Sequence, residues 1–380
     1  MFRKIGSEVN FPAMDKQVLE FWKEKGIFEK SLERRKDSPK FVYYEGPPTA
    51  NGRPNPGHIL TRAIKDIVLR YKTMEGFLVN RKGGWDTHGL PVELEVEKQL
   101  GISGKPEIES YGVEKFISRC KESVWKYLKE WTEITERIGF WLDTENAYVT
   151  YHDEYIESEW WAVKTIFDKG MIYKGHKVVP YCPRCGTALS SHEVAQGYKD
   201  VTDTSIYVKM KKKDEVDTYF LVWTTTPWTL PSNVALAVKE DAEYSYVRLD
   251  GQTLILASEL VEKLGLDVSK VTGKVRGSSL LGSEYEPLYS FVETDKKAYR
   301  VVKGDFVTLT DGTGIVHIAP AFGEDDNRVG KENDLPIIQV VDLQGRFDEN
   351  VGPWHGLFVK DADPRIVEEL SARGLLFKQE

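Results

Sequence analysis

The sequence predicts a chain in two parts, an α/β fold followed by a β-rich domain. Three observations predict it. The stretch "KFVYYEG" (40–46) reads as a strand stopped by glycine, and "FLVNR" (77–81) reads as another. Between them, "HILTRAIKDIVLRYKTM" (58–74) carries apolar residues at helical spacing. Strand, helix and strand in that order make a right-handed parallel βαβ unit. Beyond about residue 200 the texture changes to short, often alternating apolar runs between turns.

The bulk properties bound the answer. A chain of 380 residues has room for two or more domains. Hydrophobic residues at 41% and charged residues at 29% are the balance of a soluble globular protein, and aromatics at 12% argue against disorder. No run approaches a membrane span, and the start "MFRKIGSEVNFPAMDKQ" lacks the apolar segment of a secretory signal. Three cysteines (Cys120, Cys182, Cys185) are too few for a disulfide framework, so a cytoplasmic protein with no membrane partner is expected. The net charge of −8 argues against a nucleic-acid coat protein but leaves room for a local phosphate-binding patch.

In chain order, residues 15–35 read as an amphipathic helix and its exit, with Val18, Leu19, Phe21 and Trp22 on the apolar face. The loop "GPPTANGRPNPG" has neither helical nor strand period, and "KGGWDTHGLPVE" is a second glycine-rich loop. Both follow strands. Ligands collect at the carboxyl ends of parallel strands, so Gly46, Pro47 and His58 should face one pocket with Asp86 and His88. Long helices are expected over about 113–138 and 153–169. Cys120 would lie in the core of the first, in phase with Phe116, Ile117 and Val124. The basic run "KMKKKDE" reads as a solvated hairpin tip.

Four stretches carry chemistry. Glycines let a backbone approach a ligand, and a helix N-terminus attracts phosphate, so the loop ending at His58 suits a nucleoside triphosphate. A plain Gly-Pro turn is the bland alternative. "YCPRCG" sets Cys182 and Cys185 at C-x2-C spacing, half of a tetrahedral zinc site. A redox pair is the rival, without a thioredoxin-like context. His192 is near, but another part is assigned to it. "VWTTTPWTLPSN" (222–233) offers clustered hydroxyls, with Thr225 facing opposite its neighbours if the strand is regular. Plain β-propensity would also explain those threonines. "GTGIVHIAPAFGEDD" (312–326) brings His317 and an acidic cluster. Threonines, a histidine and an aspartate suit a small ligand bearing an ammonium and an ester.

Taken together, "GPPTANGRPNPGH", "GWDTHGLPVE", "PYCPRCGTALSSHE", "WTTTPWTLPSN" and "GTGIVHIAPAFGEDD", in this order over residues 46–326, strongly resemble the N-terminal part of the isoleucyl-tRNA synthetases, a family of class I enzymes. Valyl and leucyl types typically carry Thr-Thr-Arg-Pro where this chain has Thr-Thr-Thr-Pro. The resemblance implies that residues 1–199 form the first half of a Rossmann catalytic domain. Residues 200–380 would form an inserted, barrel-like editing domain. It implies isoleucine, ATP with Mg2+, and tRNA(Ile) as substrates and partners of a monomer. Gly46, Pro47 and Asp86 would hold isoleucine, with Asp86 on its ammonium, and His58 with Gly57 would stabilise the ATP phosphates. Trp223, Thr224, Thr225 and Thr226 would line the editing pocket. His317 would discriminate the substrate, and Asp326, in a register good to about one residue, would anchor its ammonium. Editing has a physical motive: one methylene discriminates by only about 1–3 kcal/mol, a magnitude established for this very pair of amino acids and not obtained from this chain.

Two departures qualify the resemblance. The family's second signature loop, of the Lys-Met-Ser-Lys type, does not occur, and "VKMKKK" (208–213) is a decoy inside the β-rich part. The chain is therefore expected to be a fragment unable to aminoacylate alone, with the remaining zinc ligands beyond residue 380. The signature His-x-Gly-His also reads Asn55-Pro56-Gly57-His58, and asparagine cannot become cationic. A non-catalytic nucleotide- or tRNA-binding module, a zinc-ribbon scaffold and a valyl-type synthetase are the alternative readings.

Overall fold

The computed structural model describes residues 10–380, apart from the side chains of His192 and Gln196. The chain forms two compact units, one ending at Lys174 and the other running Gly175–Glu380. No described helix is long and apolar enough to cross a membrane.

The first unit is built on a three-stranded sheet. Lys40–Tyr44, Leu78–Trp85 and Asp143–Val149 lie in that order, all parallel. Helix Pro56–Met74 connects the first two strands, so the expected βαβ unit is present. Leu69, Val79 and Phe140 make the apolar core of this crossover. The helix begins two residues before the apolar period does, because Pro56 fits its first turn, where a missing N–H is no loss.

Three readings of this unit need correction. The helix expected over 15–35 is two helices, Phe11–Lys25 and Ile27–Glu33, hinged at Gly26 with φ of 55°. The helix expected over 113–138 is also two, Val113–Ser123 and Leu128–Arg137. At this break Tyr127 N donates to Ala50 O at 3.1 Å and Trp131 Nε1 to Gly52 O at 2.8 Å. The turn thus satisfies carbonyls of the first glycine-rich loop, which a continuous helix would leave unmet. Cys120 is half-buried and not a core residue, and Ile117 beside it is 48% exposed. Burial still pushes the Cys120 thiol up to about 11, so it is an inert thiol at neutral pH.

The second unit holds two larger sheets and a small hairpin. The six-stranded sheet runs Val271–Arg276, Glu243–Leu249, Gln252–Ala257, Thr218–Thr224, Ile206–Lys211, Leu376–Gln379. The three-stranded sheet runs Arg300–Lys303, Ala235–Val238, Ile315–Ile318. Every residue of Ala235–Val238 is buried, which is why that run is continuously apolar and not alternating. One apolar core joins Phe220 of the larger sheet to Leu236 of the smaller, with Tyr285 and Phe347. Helix Val359–Ala372 adds Ala362, Ile366 and Leu370 to that core. The run "KMKKKDE" covers the end of strand Ile206–Lys211 and the turn after it, and Met210 and Lys212 within it are buried, so only part of it is the solvated tip expected.

Two tight places fix the passage between these sheets. The 3-10 turn Pro227–Ser232 carries the chain from the larger sheet to the smaller, and burial of Leu230 at 1% exposure anchors it by about 2 kcal/mol. Gly314 stands at φ of 72° just before Ile315–Ile318, and a Cβ there would collide with Ala257 Cβ. Gly314→Ala combines a left-handed backbone with overpacking. It should destabilise the second unit by about 2–4 kcal/mol, read as a lowered urea midpoint. An unchanged midpoint would contradict this close approach.

Candidate functional site

The first candidate site is the strand-end cleft of the first unit. Asn55 is the N-cap of helix Pro56–Met74, with extended backbone, and its Oδ1 accepts from Gly57 N at 2.9 Å and His58 N at 3.3 Å. His58 Nδ1 accepts from Asn55 N at 3.1 Å and closes a capping box. Nδ1 is therefore unprotonated, and the neutral ring carries its proton on Nε2. Burial first, and then Arg62, push the His58 pKa below its ordinary value. At neutral pH His58 thus offers a neutral N–H donor, backed by the positive end of a helix.

The floor of this cleft is charged. Glu45 is 3% exposed, with Lys65 Nζ at 2.9 Å and Arg62 Nε at 4.0 Å from its Oε1. Arg62 also donates to Thr135 Oγ1 at 2.6 Å and lies over the Trp131 ring. Glu45, Gly46, Pro47, His58, Lys65 and Trp131 are among the residues lining a cleft of about 320 Å³. The second loop comes to the same strand end: Asp86 N donates to Pro48 O at 3.1 Å, and Asp86 Oδ2 lies 3.5 Å from Thr49 Oγ1. Contrary to the sequence reading, neither Asp86 nor His88 lines the cleft: Asp86 reaches it only through Pro48 and Thr49, and His88 Nδ1 lies 2.9 Å from Thr150 Oγ1.

The cysteine pair lies on the hairpin Tyr181–Cys182 and Thr187–Ala188. Cys185 N donates to Cys182 Sγ at 3.3 Å, and Gly186 has φ of 67°. A tight turn that aims amides at sulfur suits two thiolate ligands. Among the described residues no third His, Cys, Asp or Glu joins them. Two donors fit half of a tetrahedral zinc site and do not complete one.

The second candidate site lies in the second unit, where the chain crosses between sheets. Thr224 ends its strand at 5% exposure, and His317 on Ile315–Ile318 is 7% exposed. His317 Nε2 lies 3.1 Å from Thr229 Oγ1 and 3.4 Å from Thr224 Oγ1. Thr229 Oγ1 donates to Thr226 O at 2.8 Å, so its single proton is engaged and it can only accept from the ring. His317 therefore carries its proton on Nε2, while Nδ1 is buried without a protein partner among the described residues. Thr226 Oγ1 stands 3.3 Å from Thr224 Oγ1 and 3.2 Å from Thr229 Oγ1, and Thr226 N donates to Thr224 Oγ1 at 3.1 Å. Thr224, Thr226, Thr229 and His317 make one hydrogen-bonded cluster.

The other residues named from sequence divide. Thr225 is exposed, but it stands in a bend just past the end of the strand Thr218–Thr224, so strand alternation does not set its direction. Trp223 points away from Thr224 along the strand and packs with the second apolar cluster, around Tyr207 and Val247. Asp326 sits in the first turn of helix Glu324–Glu332, turned inward, and its Oδ1 accepts from Ala319 N at 2.7 Å. Its other oxygen lies close over Gly323, filling the space that a Cβ would need. Burial raises the Asp326 carboxyl against two backbone donors that lower it. Asp325 points outward and pairs with Arg328 at 2.7 Å.

The family model for tRNA synthetases class I (I, L, M and V) matches residues 17–322. The chain belongs to that family. An isoleucine–tRNA ligase of Clostridium novyi is 57% identical over all 380 residues, and one of Picrophilus torridus is 49% identical over 381. The chain spans about 37% of the length of these curated relatives. A solved structure titled "The crystal structure of GlLeuRS-CP1" overlaps 46% of this chain and 96% of its own at 13% identity and a TM-score of 0.38.

Within this class I synthetase chain the sequence reading missed Thr229, three residues past the triple threonine. Its hydroxyl and backbone environment fix the His317 tautomer. The available signal was the Thr-Pro-Trp-Thr spacing, which returns a hydroxyl to the same side after one 3-10 turn. The buried ring also has a thermodynamic signature. Burial lowers its pKa from 6.5 to about 4, so between those values the unfolded chain binds a proton that the folded chain refuses. That stabilisation is whole above the upper value and is lost as pH falls through the window, by up to about 3 kcal/mol. Asp363, raised by burial to about 6, acts in the opposite sense, so the parent alone will not show the effect cleanly. The stability difference between the parent and His317→Gln should shrink by about 3 kcal/mol from pH 6.5 to pH 4, measured by urea unfolding. A difference independent of pH would contradict a buried neutral ring.

Proposed function

We propose that this chain is part of an isoleucine–tRNA ligase and that residues 200–380, within its second unit, hydrolyse Val-tRNA(Ile). The observation that carries the hydrolytic reading is the cluster of Thr224, Thr226, Thr229 and His317, which supplies hydroxyl donors and acceptors and a neutral imidazole. Asp326 joins it on the family resemblance. With its pKa near 4 and its Nε2 proton engaged, His317 positions and does not act as the general base at neutral pH. Hydrolysis then proceeds by holding the ester and a water in place and polarising the carbonyl through hydroxyl donors. The Asp326 carboxylate takes the substrate ammonium.

In the complete enzyme, Gly46, Pro47 and Asp86 hold isoleucine, and Gly57 and His58 face the phosphates of ATP, which brings Mg2+. Asn55 contributes as the cap that orients His58, so its replacement of a histidine leaves the donor intact. Trp223 and Thr225 belong to the rim of the editing domain and not to its hydroxyl cluster. Cys182 and Cys185 supply two ligands to a structural Zn2+. Residues 1–199 serve the synthetic domain and 200–380 the editing domain, in a monomeric cytoplasmic enzyme whose nucleic-acid partner is tRNA(Ile).

Incubating the chain at high concentration with mischarged Val-tRNA(Ile) tests this reading. Valine should be released, and the His317→Ala, Asp326→Ala double variant should be slower by at least about 100-fold. Equal release by parent and double variant would leave the binding-module reading in its place.

A further inference from the structure

The 3-10 turn Pro227–Ser232 begins at a cap residue, Thr226, whose side chain makes no cap bond. A threonine in that position ordinarily accepts from the first amides of the turn, which have no partner within it. Pro227 has no N–H, so the first such amide is that of Trp228. Its acceptor comes from elsewhere: Asp363 Oδ1, on helix Val359–Ala372, takes the Trp228 N–H at 2.8 Å. The Thr226 hydroxyl is thereby left to stand between Thr224 and Thr229. The Trp228 ring packs edge-on against Phe322 at 4.9 Å, in the loop between Ala319 and Asp326.

We propose that Asp363 is a positioning residue for the hydroxyl–imidazole cluster: by capping Trp228 N–H from a separate helix, it frees the Thr226 hydroxyl for its bonds to Thr224 and Thr229. The proposal rests on the assignment of that cluster to ester hydrolysis. A local cap would engage the Thr226 hydroxyl with the turn's own amides and open the contact to Thr229. An acceptor on a core-packed helix avoids that competition.

Burial and the Asp203 carboxylate work against the charged form of Asp363, and the Trp228 amide and Lys360 work for it, so that it is still charged at neutral pH. Lys360 Nζ lies 4.0 Å from Asp363 Oδ2, and Asp203 Oδ2 holds the same ammonium at 3.0 Å. Glu368 lines the adjoining groove. Burial raises the Asp363 carboxyl to about 6, while the Trp228 amide and Lys360 oppose the rise. Above that value the bond to Trp228 is charge-assisted, the stronger kind.

The test uses Asp363→Ala and Asp363→Asn in the 380-residue chain, with mischarged Val-tRNA(Ile) as substrate and NMR of the Trp228 amide, Thr226 and the His317 ring. Asp363→Ala should lower kcat about tenfold with KM within about twofold, the size of one charge-assisted hydrogen bond. It should also shift the Thr226 and His317 signals. Asp363→Asn keeps an acceptor oxygen and should restore most of kcat and the parent signals. A folded Asp363→Ala protein with parental kcat and parental Thr226 and His317 signals overturns the proposal. If that variant does not fold, Asp363→Ser decides: its shorter side chain withdraws the acceptor from the Trp228 amide, so the Trp228 and Thr226 signals should both move, and movement of Trp228 alone overturns the proposal. If the parent itself releases no valine, the hydrolysis reading fails, while the spectra still decide the role of Asp363.

Discussion

The second unit depends on a crossing through buried ground. Between Thr224, at the end of one sheet, and Ala235, at the start of another, the chain makes a 3-10 turn in which Pro227, Thr229, Leu230, Pro231 and Ser232 are all buried. Buried backbone donors must find acceptors, and the first N–H of this turn, that of Trp228, has none within the turn. The solution uses Thr226 O for the Thr229 hydroxyl and amide, and Asp363 for the Trp228 amide. Meeting those needs concentrates hydroxyls at one place. The candidate site is thus a by-product of satisfying a difficult backbone, and its order comes from that necessity.

The first unit solves a related problem differently. Its two glycine-rich loops need their carbonyls and amides held without large side chains. The broken helix at Tyr127 and the indole of Trp131 hold the first loop, while Asp86 N and Pro48 O tie it to the second. The Asn55–His58 capping box fixes the start of the helix and the tautomer of the ring together. In both units a histidine is kept neutral by burial, and its donor nitrogen is chosen by what the other groups can accept.

Much of this was legible in the sequence, for identifiable reasons. The βαβ unit is local and strongly periodic, so its strands and crossover helix could be read from spacing. The change to β-structure near residue 200 was visible in alternation. Elements set by distant contacts were not legible. The break at Tyr127 exists for Ala50 and Gly52, far away in sequence. Helix Val359–Ala372 carries Pro364 inside it, and the strand Leu376–Gln379 is short, so neither announces itself. Thr229 and Asp363 act through a turn whose form only the assembled core dictates. Asn55 looked like a chemical substitution in a signature and is instead a helix cap, a role for which asparagine is well suited.

The central claim is that the Thr224–Thr226–Thr229–His317 cluster, with Asp326, receives an aminoacyl ester. The most direct measurement maps a non-hydrolysable valyl-adenosine analogue onto the chain by NMR chemical-shift perturbation, with the isoleucyl analogue as comparison. The account predicts saturable shifts concentrated on those five residues, and weaker binding of the isoleucyl analogue. Shifts confined to the first unit, or equal binding of both analogues without effect on His317, would contradict it.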